Sequence, residues 1–139
     1  MNKILLAQRT AVFDASPRAV WNVMTDNGDV SWRSDLSGVR GTGEGKWIEI
    51  DNRGRETRFE VRFFDPYRFY SFCMENKYFT GIWSATFSPA ESGGTMVELR
   101  QEIAVKNPVM AVIARHFWNL EKLEETYVRD LRRKLGEEK

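Results

Sequence analysis

The segment from Pro108 to Leu135 constrains the fold more than any other part of the chain. At about 100° per residue, Val109, Ile113, Phe117, Leu120, Leu123, Tyr127, Leu131 and Leu135 fall in one sector of a helix. Arg115, Lys122, Glu125, Arg129, Arg132 and Arg133 fall opposite. Asn107 suits the N-cap, Pro108 the first helical position, where a missing N–H loses nothing, and Gly136 the C-terminal stop. The spacing therefore predicts one helix of about 40 Å, long enough to span a small domain. An apolar stripe of that length needs a broad surface to lie on.

The preceding residues supply a sheet. Lys3 to Phe13 alternates weakly and stops at Asp14, Ala15 and Ser16, which predicts a first strand. Ser16-Pro17 opens a short helix with Ala19, Val20, Val23 and Met24 on its apolar side. The run Asp26 to Asp29 breaks it, and a second helical turn or loop passes through Val30 and Trp32. Strand signals follow at Leu36–Gly41, Lys46–Ile50, Thr57–Phe63, Arg68–Glu75, Thr80–Ser88 and Thr95–Lys106, separated by tight turns. In Thr57–Phe63 the apolar residues alternate with Arg58, Glu60 and Arg62, the pattern of a half-buried strand. In Arg68–Glu75 two parities compete for the interior: Phe69, Ser71 and Cys73 against Tyr70, Phe72 and Met74. Consecutive strands on short turns make an antiparallel sheet, and only a strongly curved one wraps the final helix.

With 139 residues, 42% of them hydrophobic, the expectation is one domain spanning residues 1–139 with a genuine core. No apolar run approaches the length of a membrane span, and no signal peptide is expected. Lys and Arg total 21 against 20 acidic residues, which gives no electrostatic case for nucleic acid. One cysteine, Cys73, excludes an intramolecular disulfide and agrees with a cytoplasmic location. One histidine and one cysteine do not make a nitrogen/sulfur zinc site, and no cofactor or metal is expected. Arg53, Arg55, Arg58 and Arg62 interleave with Glu56 and Glu60, which reads as a solvated strand face. Gly41, Gly43 and Gly45 precede no helix, so they form no phosphate loop.

Several local phrases carry a family likeness: Asp14-Ala15-Ser16-Pro17-Arg18-Ala19-Val20-Trp21 with Thr25-Asp26, then Trp32-Arg33-Ser34-Asp35-Leu36, Asp65-Pro66-Tyr67-Arg68, Gly81-Ile82-Trp83 and Gly93-Gly94-Thr95. With these, in this order, the chain resembles a small bacterial-type member of the START/polyketide-cyclase (SRPBCC) superfamily, which shares the helix-grip fold of the birch pollen allergen. The resemblance covers essentially the whole chain. It implies an α+β fold with about six or seven antiparallel strands curved around a long C-terminal helix, and two short helices after the first strand. It also implies a hydrophobic cavity between the sheet and the inner face of the last helix. The superfamily includes lipid carriers, hormone receptors, cyclases and chaperone cofactors, so the fold alone does not select an activity.

Within that frame Glu124 is the sharpest candidate, a carboxylate in the middle of the apolar sector beside Leu120, Tyr127, Val128 and Leu131. It either reads a ligand or moves a proton in the cavity, or an arginine from the sheet pairs with it. His116, at the edge of the sector, is a candidate acid/base group or a packing residue. Gln101 shares the apolar parity of the last strand with Leu99 and Ile103, and offers both donor and acceptor to a ligand or to nearby backbone. Trp32, Trp47, Phe59, Phe72, Trp83 and Phe87 either surround a cavity or form an ordinary aromatic core. Leu99, Phe117 and Leu120 complete the expected ligand contacts. The helix divides accordingly: a rim, gate or contact surface over Val109–Ala114, with a homodimer contact expected through Val109–Trp118, a ligand-reading middle from His116 to Glu124, and a plain clamp from Tyr127 to Leu135.

The expected function is binding of a small apolar or aromatic molecule, without nucleic acid and without a membrane span. A cyclase or dehydrase acting on a polyketide-like substrate, and a chaperone-cofactor-like interaction module, are the alternatives. An open interior separates the first from the last. A polar partner within hydrogen-bond reach of His116 or Glu124 separates out the enzyme.

Overall fold

The computed structural model of the protein describes residues 4–109 and 119–137. The described elements run β1 (Ile4–Phe13), α1 (Pro17–Thr25), β2 (Leu36–Gly43), β3 (Lys46–Asp51), β4 (Glu56–Asp65), β5 (Phe69–Glu75), β6 (Phe79–Pro89), β7 (Thr95–Val105) and α2 (Leu120–Lys134). The seven strands form one antiparallel sheet in the order β1-β7-β6-β5-β4-β3-β2. All neighbours except β1 and β7 are joined through a turn, as the spacing of turn residues predicts. β1 pairs with β7 along its whole length, Ile4 opposite Ala104 and Phe13 opposite Thr95.

Two rows of register place the inner face. Gln101 lies opposite Trp83, and Trp83 opposite Phe72. One row along, Ile103 lies opposite Gly81, Gly81 opposite Met74, Met74 opposite Phe59 and Phe59 opposite Trp47. The open parity of β5 is thereby resolved: Tyr70, Phe72 and Met74 face the core. Gly81 leaves room on this face, since a Cβ there would come within 2.6 Å of Ile103 Cδ1, which would have to move, and 3.0 Å of the Glu102 carbonyl. Gly94 is needed for a different reason, because a Cβ would collide with the Phe13 carbonyl where β7 begins beside the end of β1.

α1 starts as its sequence suggests, with the Ser16 hydroxyl accepting from the Ala19 N–H and Pro17 in the first turn. It buries Val20, Trp21 and Met24. No second short helix follows. Residues 26–35 are turns, held by the Asp29 carboxylate accepting from the Ser31 N–H and hydroxyl, and by the Trp32 indole donating to the Asp29 carbonyl. Asx-type bonds of this kind compete with helix, and here they win.

The C-terminal helix is also shorter than its periodicity suggests. Pro108 and Val109 are helical, but Asn119 is extended (φ −113°, ψ 93°) and its side chain accepts from the Lys122 N–H at 3.0 Å. An asparagine in that role starts a helix and does not continue one, so α2 begins at Leu120. Its apolar stripe also rotates slightly: Leu120, Glu124, Asp130 and Leu131 are buried, whereas Leu123 is 49% exposed. The helix ends at Gly136 (φ 76°) in a Schellman turn, with Gly136 N–H donating to the Arg133 carbonyl and Glu137 N–H to Arg132. Residues 110–118, which include His116, Phe117 and most of the expected rim, lie outside the described residues. Val109 lies at 69% exposure. Among the described residues no helix is long and apolar enough to cross a membrane.

Candidate ligand-binding cavity

α2 packs along β1 at one edge of the sheet and leaves a gap against β3, β4 and β5. The gap is a cavity of about 1000 Å³, at the upper end of small-molecule sites. Its mouth lies between exposed residues of the β3–β4 turn, Arg53 to Arg55, and exposed residues at the start of α2, Asn119, Lys122 and Leu123.

The wall is an aromatic band. Phe72 stacks on Trp83 with ring centroids 4.7 Å apart and planes within 7°, and Phe59 meets Phe72 edge-on at 5.2 Å. Trp83 contacts Tyr127 at 5.6 Å, and Tyr127 contacts Trp32 at 5.3 Å, which carries the band onto α2 and the loop before β2. Of the residues singled out from the sequence, Trp32, Phe59, Phe72, Trp83, Leu99, Gln101, Leu120 and Glu124 line the cavity. Trp47 and Phe87 do not. Trp47 sits behind Phe59, stacked at 5.3 Å, and Phe87 packs on Trp21 at 5.1 Å, where α1 covers the far end of the sheet. Tyr127, expected as part of a plain clamp, is a lining residue.

Set into this band is a polar cluster that the reading of the sequence did not assemble. Arg33 Nε and Nη2 donate to the two oxygens of Asp35, each at 2.9 Å. Arg33 Nη2 also lies 3.9 Å from Glu49 Oε1, and the guanidinium sits 4.9 Å from the centre of the Tyr127 ring. The Trp47 indole N–H donates to Glu49 Oε2 at 3.0 Å. Burial works against the Arg33 charge, but Glu49 and Asp35 outweigh it and its pKa is raised. Burial likewise raises Glu49 against the opposing pull of Arg33 and the Trp47 N–H, and it raises Tyr127. Strand parity held a signal for Glu49, since Trp47 and Glu49 share a face of β3. Nothing in the local pattern marked Arg33 and Asp35 as more than loop charges.

Glu124 lies opposite in character. It is 2% exposed, lines the cavity, and neither of its oxygens has a hydrogen-bond partner among the described residues. Burial pushes its carboxyl up to about 7; Arg9 on β1 partly opposes this and Glu121 adds to it. The pairing arginine considered from the sequence is therefore absent as a bonded partner: Arg9 Nη2 reaches the neighbouring Glu125 instead, at 3.9 Å. Gln101, which lines the cavity from β7, makes no side-chain hydrogen bond among the described residues.

A second, shallower groove of about 670 Å³ crosses the opposite face of the sheet past Ile4, Ile48 and Ile82. Its charges pair among themselves, Arg58 with Glu75 at 3.2 Å and Lys46 with Glu60 at 3.9 Å. Among the described residues it offers no buried unmatched polar group of the kind that Glu124 presents.

A curved antiparallel sheet, a C-terminal helix laid against it and a cavity between them define the helix-grip class. Residues 6–135 match the model of the polyketide cyclase / dehydrase and lipid transport family, and the chain belongs to that family. No curated protein sequence matches it significantly. Among solved structures it is similar to a conserved protein from Geobacillus kaustophilus (TM-score 0.77, 14% identity, 95% of each chain covered). It is also similar to norcoclaurine synthase from Thalictrum flavum (TM-score 0.74, 12% identity, 98% of this chain and 88% of that one). A START superfamily protein from Mycobacterium smegmatis aligns at TM-score 0.65 and 14% identity, over 94% of this chain and 93% of that one. Identities this low establish a shared fold and nothing further.

Proposed function

We propose that the protein binds a small apolar or aromatic molecule in the cavity between the sheet and α2, and that it does so in the cytoplasm without transforming it. Phe59, Phe72, Trp83 and Leu120 are the apolar walls in this reading, and Gln101, Tyr127 and Glu124 the polar contacts. The observation that carries it is an interior of about 1000 Å³ lined by aromatic rings, where a protein-interaction module would have a filled core. The reading ranks ahead of an enzyme because neither oxygen of Glu124, the acid/base candidate from the sequence that lies among the described residues, is hydrogen-bonded to a second polar group there. The unpaired Cys73 supports the cytoplasmic placement.

Native mass spectrometry of the protein isolated from its own host tests this. The expected result is a bound species of a few hundred daltons that a Trp83→Ala, Phe72→Ala double variant no longer retains. An interior that stays empty in the host-purified protein and takes up no aryl probe would overturn the reading.

A further inference from the structure

A buried carboxylate with no hydrogen-bond partner is an expensive arrangement to keep, and proteins resolve it by pairing, by protonation or by a ligand. The lining around Glu124 indicates which. Arg33, Glu49 and Glu124 are the charged groups set deepest into the wall, and Arg33 is already clasped by Asp35 and faced by Glu49. Negative charge therefore exceeds positive among these buried groups, and the lining cations that make no ion pair among the described residues, Arg53, Lys77 and Lys122, are all exposed. The arginines at the mouth are exposed, and two of them are paired, Arg55 with Asp51 and Arg58 with Glu75. The same cavity lining carries the rings of Trp83 and Tyr127 and the Gln101 amide. Tyr127 lies one turn further along α2, in contact with Trp83, and Trp83 is the register partner of Gln101.

We propose that the ligand is an organic amine, with its protonated nitrogen against the Glu124 carboxylate and an aromatic or apolar body along Phe72 and Trp83. This names the ligand class for the cavity and rests on the binding reading above. The cation balances the charge of the interior, and the aromatic lining offers it cation–π attraction at Trp83, since Tyr127 already faces the Arg33 guanidinium. The Gln101 carbonyl is free to accept a second N–H. A carboxyl that sits at about 7 when the cavity holds no cation ionises readily when one enters.

Isothermal titration of the full chain with three probes of one shape separates the possibilities: 2-(1-naphthyl)ethylamine, 2-(1-naphthyl)ethanol and 3-(1-naphthyl)propionate. At pH 7.5 the amine is expected to bind at least about tenfold more tightly than either of the others. Glu124→Gln, whose fold is checked by its circular dichroism melt, is expected to abolish that advantage by weakening the amine at least about tenfold. If the alcohol or the propionate binds as well as the amine, or the advantage survives Glu124→Gln, the amine inference fails and the binding reading stands. If none of the three binds at millimolar concentration, the binding reading falls with it.

Discussion

Two buried carboxylates stand less than two turns apart on α2, and they are treated in opposite ways. Asp130 is fully buried, and every direction around it is answered: the Ser34 N–H and hydroxyl donate to Oδ2 at 2.7 and 2.8 Å, and Arg133 donates to Oδ1 at 2.9 Å. Glu124 is 2% exposed, and no hydrogen bond answers it among the described residues. The first ties the Trp32–Asp35 loop to the helix, and with it the polar cluster of Arg33 that forms one wall of the cavity. The second faces the cavity itself. One carboxylate holds the frame together; the other is left for whatever enters it.

That contrast breaks most visibly if the structural member is removed. Asp130→Ala strands the Ser34 donors and Arg133, and is expected to lower unfolding stability by about 3 kcal/mol. Urea denaturation checks the value, and a loss below about 1 kcal/mol would remove the distinction between the two sites.

Glu124 is expected to behave in the reverse sense. Its folded pKa lies above its ordinary value of 4.5, so between about 4.5 and about 7 the folded state binds more protons than the unfolded chain. The sign follows: the burial penalty is absent below 4.5, and stability falls as pH rises toward 7. Glu124→Gln removes that penalty. It is expected to match the wild type near pH 4.5 and to exceed it by about 2 kcal/mol at pH 8, measured by urea denaturation at both pH values.

Ser34→Ala removes one of the two Ser34 donors and keeps the backbone one, so its loss should be close to 1 kcal/mol by the same measurement. The smallest effect belongs to Arg9→Gln. Arg9 opposes the burial of Glu124 from β1, so its removal should move the Glu124 titration further upward with little change in stability.

The fold was legible because its signals are periodic. The alternation of Thr57–Phe63 and the spacing of Leu120, Tyr127 and Leu131 each repeat over several residues, and a local error does not change the layer they predict. The interruption at Asn119 was hidden because the apolar stripe continues past it; only the capping bond to Lys122 reveals the new start. Glu124 was readable as a polar residue inside an apolar sector. Asp130 and the Arg33–Asp35–Glu49 cluster were not, because each becomes a buried group only through contacts between segments distant in sequence, Ser34 with Asp130 and Arg33 with Glu49. The placements of Trp47 and Phe87 failed for a related reason. Parity puts a side chain inside, but which part of the interior it reaches depends on what α1 and the neighbouring rings already occupy.

Carbon-13 NMR titration of the Glu124 carboxyl, assigned by its disappearance in Glu124→Gln, tests the central claim most directly. The account predicts a midpoint near 7 for the protein alone, falling toward the ordinary carboxylate range when 2-(1-naphthyl)ethylamine is added. A midpoint near 4.5 in the protein alone would show that Glu124 is already paired or solvated, and would contradict it.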